Sequence, residues 1–378
     1  MSMHYDVAII GAGAMGSAAA YHLSKTGKKI LVLDQFEPPH TYGSSHGQSR
    51  IIREAYFESP LYVPLVQQAY VLWQELEQAS GKQLFLKTGG LMLGHKDSKV
   101  FSGAEHSAIK WNVWYEVIGS KEISKRFPAF RPDYNTVALY EKNAGLLFPE
   151  ACITAHLSLA SGSNTGFRFN EKVTEVSSLA DGTISINTTK GNYTAGKLIV
   201  SNGAWMTTLF PSLQMPLTVT RQPLCWFDFE AGNPEWFSPA NFPIYIWELS
   251  RHNVFYGFPA LENKLKIAIH HGGIESNPDT VDREVHREEI DHLASIISTH
   301  FNVKVTYSHS SVCMYTNTAT EDFIIDRHPA NNNIIIASPC SGHGFKFSSA
   351  IGKLLCEMAC EAPLSFDLSA FSLKTQTS

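Results

Sequence analysis

The residues whose types and spacing could do chemistry begin near the N-terminus. Gly11-Ala12-Gly13-Ala14-Met15-Gly16 stands between an apolar run and an alanine-rich one. Glycine at the first position permits a tight turn, at the second lets a pyrophosphate approach the backbone, and at the third allows close helix–strand packing. The start of the following helix offers unpaired N–H groups and the positive end of a dipole to phosphate. Asp34 ends the next apolar run, where a carboxylate accepts ribose hydroxyls. Glycine spacing alone is a weak signal. Strand, helix and terminal acid together read as a dinucleotide site rather than a packing turn beside a surface aspartate. The pattern leaves NAD and FAD open, and the lack of an arginine beside Asp34 disfavours NADP.

The elements that must position this turn follow from periodicity. Residues 5–10 and 29–34 read as buried strands, with residues 17–26 as the helix between them, a βαβ unit with parallel strands. A polar loop leads to an amphipathic helix over residues 62–78, where Leu65, Val66, Ala69, Leu72, Trp73 and Leu76 recur as a core face. Residues 90–94 read as a strand. A three-strand meander is expected over 183–186, 192–195 and 197–200, and a second antiparallel region over 219–269. A charged helix from about 282 to 300 precedes a strand at 333–337, a glycine-containing turn at 338–345 and a helix at 347–360. The dinucleotide-like ends lie far apart in sequence. That domain is therefore expected to be discontinuous, over residues 1–60, 145–215 and 311–378, with a substrate domain in 61–144 and 216–310. The expected fold class is α/β (α+β overall), a Rossmann-like domain with an interleaved substrate domain on a mixed, largely antiparallel sheet.

Composition bounds the function. At 378 residues the chain exceeds what one core usually serves, and two joined domains are expected. It is 44% hydrophobic and 17% charged, which excludes disorder as its main state. Thirty Lys+Arg against 35 Asp+Glu give a net charge of −5, arguing against a general nucleic-acid binder while leaving room for a local basic pocket. The six cysteines form no Cys-x-x-Cys pair, and a chain of this size needs no disulfide framework, so reduced thiols in the cytoplasm are expected. Cys356 and Cys360 share a helix face with no further ligand near them in sequence, and no metal site is expected. No apolar stretch reaches ~18 residues, and residues 7–20 lack the basic flank of a signal peptide, so no membrane association is expected.

Further motifs recur in order along the chain: Pro38-Pro39-His40, His46, Arg50-Ile51-Ile52-Arg53, Tyr256-Gly257-Phe258-Pro259, Lys266 with His270, Cys313-Met314-Tyr315-Thr316, Phe323-Ile324-Ile325-Asp326, and Ser341-Gly342-His343-Gly344-Phe345-Lys346. Through them almost the whole chain resembles the monomeric sarcosine oxidase family, to which N-methyltryptophan oxidase also belongs. The resemblance implies a glutathione-reductase-like FAD domain, with FAD attached through the flavin 8-methyl group to Cys313 (8α-S-cysteinyl). It implies oxidation of N-methyl amino acids such as sarcosine, with water and O2, to the demethylated amino acid, formaldehyde and hydrogen peroxide. The alternative is an N-methyl-L-tryptophan oxidase with a larger pocket. Arg53 and Lys346 match the pair that clamps the substrate carboxylate, joined by Gly342. Tyr256 and His270 match substrate-side catalytic residues, Lys266 the lysine that activates oxygen near flavin N5, and His46 and Arg50 residues beside the flavin ring. The implied cofactor contacts are Gly11, Ala12, Gly13, Ala14, Met15, Gly16, Asp34, Ser44, Val173, Cys313, Gly344 and Lys346. The partners implied are a small N-methyl amino acid and O2, with no nucleic acid and no membrane, for a monomer.

The residue types suit that chemistry. An arginine fork binds a carboxylate with two parallel bonds, although the ordinary fate of an arginine is an ion pair with an acid. Neighbouring cations disfavour an ammonium, so the same cluster helps the amine shed its proton, which His270 or Tyr256 could relay. His271 and His343 read as packed or hydrogen-bonded residues. Lys264 shares a strand face with Lys266 and competes for its role. Cys313 reacts as a thiolate, which Arg50 and His46 would favour, and its alternative is a buried structural cysteine. Backbone N–H groups of the 338–345 turn are expected against the flavin or the substrate carboxylate, Gly342 and Gly344 allowing close approach. The chain departs from the family where Thr320-Glu321-Asp322 replaces a frequent Asp-Glu-His. Residues 244–247, bulky and aromatic, are expected beside the substrate. A flavin protein that has lost oxidation, and an NAD-dependent dehydrogenase, are the competing classes.

Overall fold

A computed structural model describes residues 3–162, 164–251 and 253–377. Strand Met3–Ile10 pairs in parallel with Ile30–Leu33 on one side and with Asn192–Val200 on the other. Thr165–Arg168 and Asn331–Ser338 extend this sheet outward, again in parallel. Strands buried on both faces demand unbroken apolar runs, which Val7-Ala8-Ile9-Ile10 and Ile30-Leu31-Val32-Leu33 supply. Val7 and Ile9 face a layer containing helices Ala14–Ser24, Pro149–Ala160 and Ser348–Ala359; Ala8 and Ile10 face the opposite core. Helix Val63–Ser80 buries all six of its expected core residues and packs on Ser348–Ala359 and Pro149–Ala160.

The second sheet has eight strands in the order Val303–Asn317, Thr218–Gly232, Lys264–His270, Asn253–Gly257, Ile244–Ser250, Gly90–Gly94, Val137–Glu141 and Glu116–Gly119. Its neighbours are antiparallel except Ile244–Ser250 with Gly90–Gly94. Phe130, Phe227, Phe242, Trp247, Phe255 and Phe301 form an aromatic core on this sheet, with helix Arg287–His300 contributing Leu293 and Ile297. A small third sheet joins Arg50–Ile52, Gly145–Leu147 and Phe85–Lys87. The α/β class with a mixed, largely antiparallel second sheet is as expected.

Most expected boundaries shift by one or two residues, and three differ by more. The first helix begins at Ala14, so Gly16 lies inside it. The last two meander strands are one strand, Asn192–Val200, because Met3–Ile10 pairs along nearly its whole length, while its other edge takes Ile184–Thr188 and then Asn331–Ser338. The charged helix starts at Arg287, five residues later than expected. There Glu289 accepts the His286 amide at 2.9 Å, while Arg221 binds Glu289 and the carbonyls of Asp282 and Glu284, holding the preceding residues outside the helix.

Candidate active site

The C-terminal ends of the parallel strands, at Ile10, Leu33, Ser201 and Ala337, open into one long cleft of about 1840 Å³ counting its open mouth. An open parallel sheet binds its ligands in this place. One end of the cleft is bordered by Asp34, Phe36, Val173 and Trp205, the other by Arg50, Arg53, Tyr256, His270, Cys313 and Lys346.

The glycine turn divides its labour. A Cβ on Gly16 would stand 1.7 Å from the Gly11 carbonyl oxygen, so this glycine is required for packing. A Cβ on Gly13 would meet only Ser45 Oγ, at 3.9 Å, leaving open space where phosphate oxygens can approach the start of the helix. Asp34 accepts the amides of Ala12 at 2.7 Å and Phe36 at 2.9 Å, with His40 Nε2 3.8 Å away. Burial raises its pKa, and those N–H donors and His40 pull it back. Gly11, Gly13, Ala14, Met15, Ser44, Val173 and Gly344 all border the cleft; Ala12 and Gly16 do not, and act through Asp34 and through packing. The open glycine cradle with a terminal acid fits a dinucleotide.

At the other end, strand Val303–Asn317 carries Cys313 into the cleft wall, where its register partner is Gln222. Arg50 Nη2 lies 3.5 Å from Cys313 Sγ and 2.8 Å from the Ser44 carbonyl, so a guanidinium faces the sulfur. Arg53 is 1% exposed. Its Nη1 donates to the Ala55 carbonyl at 2.7 Å and its Nη2 pairs with Glu58 at 2.6 Å. The ion pair is with a buried acid bordering the same cleft, and among the described residues Arg53 Nε has no partner. Burial alone would raise Glu58, but Arg53, His343 and Lys346 outweigh it and hold the carboxyl at about 2. Burial, then Arg53, pulls Lys346 down to about 7, with Glu58 opposing. Both cations of the expected clamp thus reach one wall.

His270 is neutral, its pKa driven well below 6.5 by burial first and by His271 next. Its ring meets Tyr256 edge-on with centroids 6.1 Å apart and Tyr315 edge-on at 6.0 Å. Gly342 borders the cleft at φ +75°, and a Cβ there would stand 2.6 Å from the Tyr315 ring.

Lys266 and His46 are buried but do not border the cleft. Lys266 Nζ donates to Gly47 O at 2.6 Å, Ser49 O at 3.1 Å and Ser49 Oγ at 3.1 Å, in the segment leading to Arg50. Burial, then Arg50, pulls its pKa well below 10.5. Lys264 instead pairs with Asp228 at 2.5 Å and Ser308 at 2.8 Å, away from that segment. Burial, with Arg50 and Lys266 beside it, drives His46 down to about 3, so it is neutral and adds no positive charge near Cys313. Of residues 244–247 only Ile246 borders the cleft; Tyr245 and Trp247 point into the aromatic core, as strand alternation requires.

Sequence reasoning did not single out Glu58, Tyr56 or Glu150. Glu150 Oε1 accepts the amides of Gly47 at 2.7 Å and Gln48 at 3.1 Å and so shapes the segment that Lys266 grips. Only its place in the first turn of helix Pro149–Ala160 hints at such a role. Glu58, in an irregular loop, carries no periodic signal.

Among the described residues no group of three or more His, Cys, Asp or Glu side chains could hold a metal ion, and no helix is long and apolar enough to cross a membrane. A family profile described as FAD dependent oxidoreductase matches residues 6–358. A monomeric sarcosine oxidase of Streptomyces avermitilis is 41% identical over 367 residues, covering 95% of this chain and 94% of that protein. An N-methyl-L-tryptophan oxidase of Yersinia pestis is 35% identical over 375 residues, covering 98% and 99%. The open form of NikD, an unusual amino acid oxidase essential for nikkomycin biosynthesis, superposes with a TM-score of 0.87 over 98% of each chain at 22% identity, a likeness of fold.

Proposed function

Because the chain belongs to the FAD-dependent oxidoreductases, we propose that it is an oxidase of N-methyl amino acids of the sarcosine type. It would convert them, with water and O2, to the demethylated amino acid, formaldehyde and hydrogen peroxide. The observation that carries this reading is the buried pair Arg53 and Lys346 on the wall of the cleft that also holds Cys313. A net-negative chain that buries two cations side by side has a use for an anionic ligand there, and a small zwitterion supplies one.

The chemistry supplied by bound FAD is two-electron acceptance from the carbon beside the amine, and return of those electrons to oxygen. The chain's own residues do the rest. Segments 1–60, 145–215 and 311–378 hold the dinucleotide, and 61–144 and 216–310 form the substrate side. The 11–16 turn and Asp34 bind phosphates and ribose. Arg53 and Lys346 fix the substrate carboxylate, and their charge disfavours an ammonium nearby, so the amine binds as its free base. Neutral His270, in ring contact with Tyr256, can orient the free amine or relay its proton as it binds. Lys266, behind the 47–49 segment, would supply a buried positive charge near the place where electrons reach oxygen. Cys313 is the residue for a covalent 8α-thioether, with the Arg50 guanidinium 3.5 Å from its sulfur.

Peroxide release from sarcosine, N-methyl-L-tryptophan and L-proline tests the reading. Sarcosine is expected to give the highest kcat/KM, by about tenfold or more over N-methyl-L-tryptophan. Peroxide from none of the three would overturn it. The second reading, N-methyl-L-tryptophan oxidation, is favoured by one observation: Tyr245 and Trp247 turn away from the cleft and leave only Ile246 against it. A reversed ratio would select it.

A further inference from the structure

We propose that Tyr56 and His343 are positioning residues of the carboxylate clamp, a hydrogen-bonded pair that aims Lys346 Nζ and keeps it a cation. This rests on the reading of Arg53 and Lys346 as that clamp.

The direction of each bond follows from its partner. His343 Nε2 lies 2.8 Å from the Glu321 carbonyl, which can only accept, so Nε2 carries the proton. Burial pushes the ring's pKa down to about 4, so His343 is neutral and Nδ1 is an acceptor. The Tyr56 hydroxyl, 2.6 Å from Nδ1, must therefore donate. Its proton is committed, and its oxygen lone pairs are left to receive Lys346 Nζ at 3.4 Å. The other acceptor of Lys346 Nζ is the carbonyl of His343 itself, at 2.7 Å. One residue thus serves the lysine twice, directly through its backbone and through Tyr56 by its ring.

Each member is locked in place. Tyr56 is fully buried, its carbonyl accepts Ser107 Oγ at 2.5 Å, and its ring packs on Tyr62 and Phe347. Phe323 stacks on the His343 ring at 4.8 Å. Trp73 Nε1 holds the Lys346 carbonyl at 2.9 Å. The charged and titratable groups around Lys346 are Arg53 and Arg50, which oppose its ammonium, Glu58, which favours it, and neutral His343 and His270. Against two guanidinium groups, the oriented oxygens of Tyr56 and His343 are the neutral dipoles that retain the charge. A pair that served packing alone would need neither the buried hydroxyl nor the fixed tautomer.

The test uses holoenzyme and butanoate, the carbon isostere of sarcosine, with binding followed through the visible flavin absorbance from pH 6 to 9. Wild-type affinity should fall above about pH 7 as Lys346 loses its proton, by up to tenfold per unit. Tyr56→Phe, which keeps the packed ring, should bind within about twofold of wild type at pH 6 and shift the midpoint downward by about half a unit to one unit. His343→Leu should shift it likewise, and His343→Asn, whose Oδ1 can replace Nδ1, should restore it. A Tyr56→Phe profile that superimposes on wild type overturns the inference. If wild type and Lys346→Met show the same profile, the clamp reading itself fails, and the inference with it.

Discussion

Lys264 and Lys266 lie two positions apart on one strand, so alternation assigns them the same face and gives no ground for choosing between them. Their partners decide. Lys264 meets Asp228 and Ser308, whereas Lys266 drives its amine into three oxygens of Gly47 and Ser49. Lys266→Met is therefore expected to slow reoxidation of reduced flavin by oxygen on the order of 10²–10³ while leaving butanoate affinity within about twofold. Anaerobic reduction followed by rapid mixing with oxygen measures the first, and an absorbance titration the second. Equal reoxidation in both proteins would remove Lys266 from the role. The sign with pH follows from burial: the amine loses its proton below the usual 10.5, so reoxidation should weaken as pH rises through that lowered value. Arg53 was legible as a cation with a task, but its partner was not. Glu58 lies five residues on in a loop, and only the folded chain returns its carboxylate to the guanidinium at 2.6 Å.

At the scale of elements, the turn from Gly11 to Gly16 and its flanking strands were readable because each requirement is local: backbone freedom, an apolar run, a terminal acid. The two inner glycines predict opposite outcomes. Gly13→Val faces open space, so the protein should fold with an unchanged far-ultraviolet spectrum but be colourless after purification, the side chain filling the phosphate cradle. Gly16→Ala meets the Gly11 carbonyl at 1.7 Å and should be recovered poorly or unfold at a markedly lower temperature. A yellow Gly13→Val protein would show that the cradle holds no phosphate. The elements misjudged from sequence are those whose limits are set from a distance. Asn192–Val200 continues through Gly196 because Met3–Ile10, far from it in sequence, pairs with it on both sides of that glycine. Helix Arg287–His300 starts late because Arg221, far away in sequence, grips the residues before it. Trp247 looked like a pocket residue by bulk, yet the parity of its strand sends it to the core.

Across the whole molecule, the cleft belongs to both large sheets. The parallel sheet supplies the glycine turn and Asp34, and the second sheet brings Cys313, Tyr256 and His270 to the same space. A thioether at Cys313 would therefore bolt a ligand of one sheet to a strand of the other. In wild type, acid precipitation should leave the yellow colour in the pellet. In Cys313→Ala it should pass to the supernatant, and the unfolding free energy should rise with added FAD, by about 2.7 kcal/mol at one hundred times its Kd. A colourless wild-type pellet would exclude the covalent link. The buried Glu58 carboxylate has its own consequence for what this molecule admits. The cavity is already stocked with a counter-ion, and if the cleft takes an amino acid as proposed, the arriving carboxylate would have to displace Glu58 from Arg53 in the manner of an anion-exchange resin. A substrate with a second carboxylate would then bring one more negative charge beside the displaced Glu58, and should bind more weakly than one with a single carboxylate.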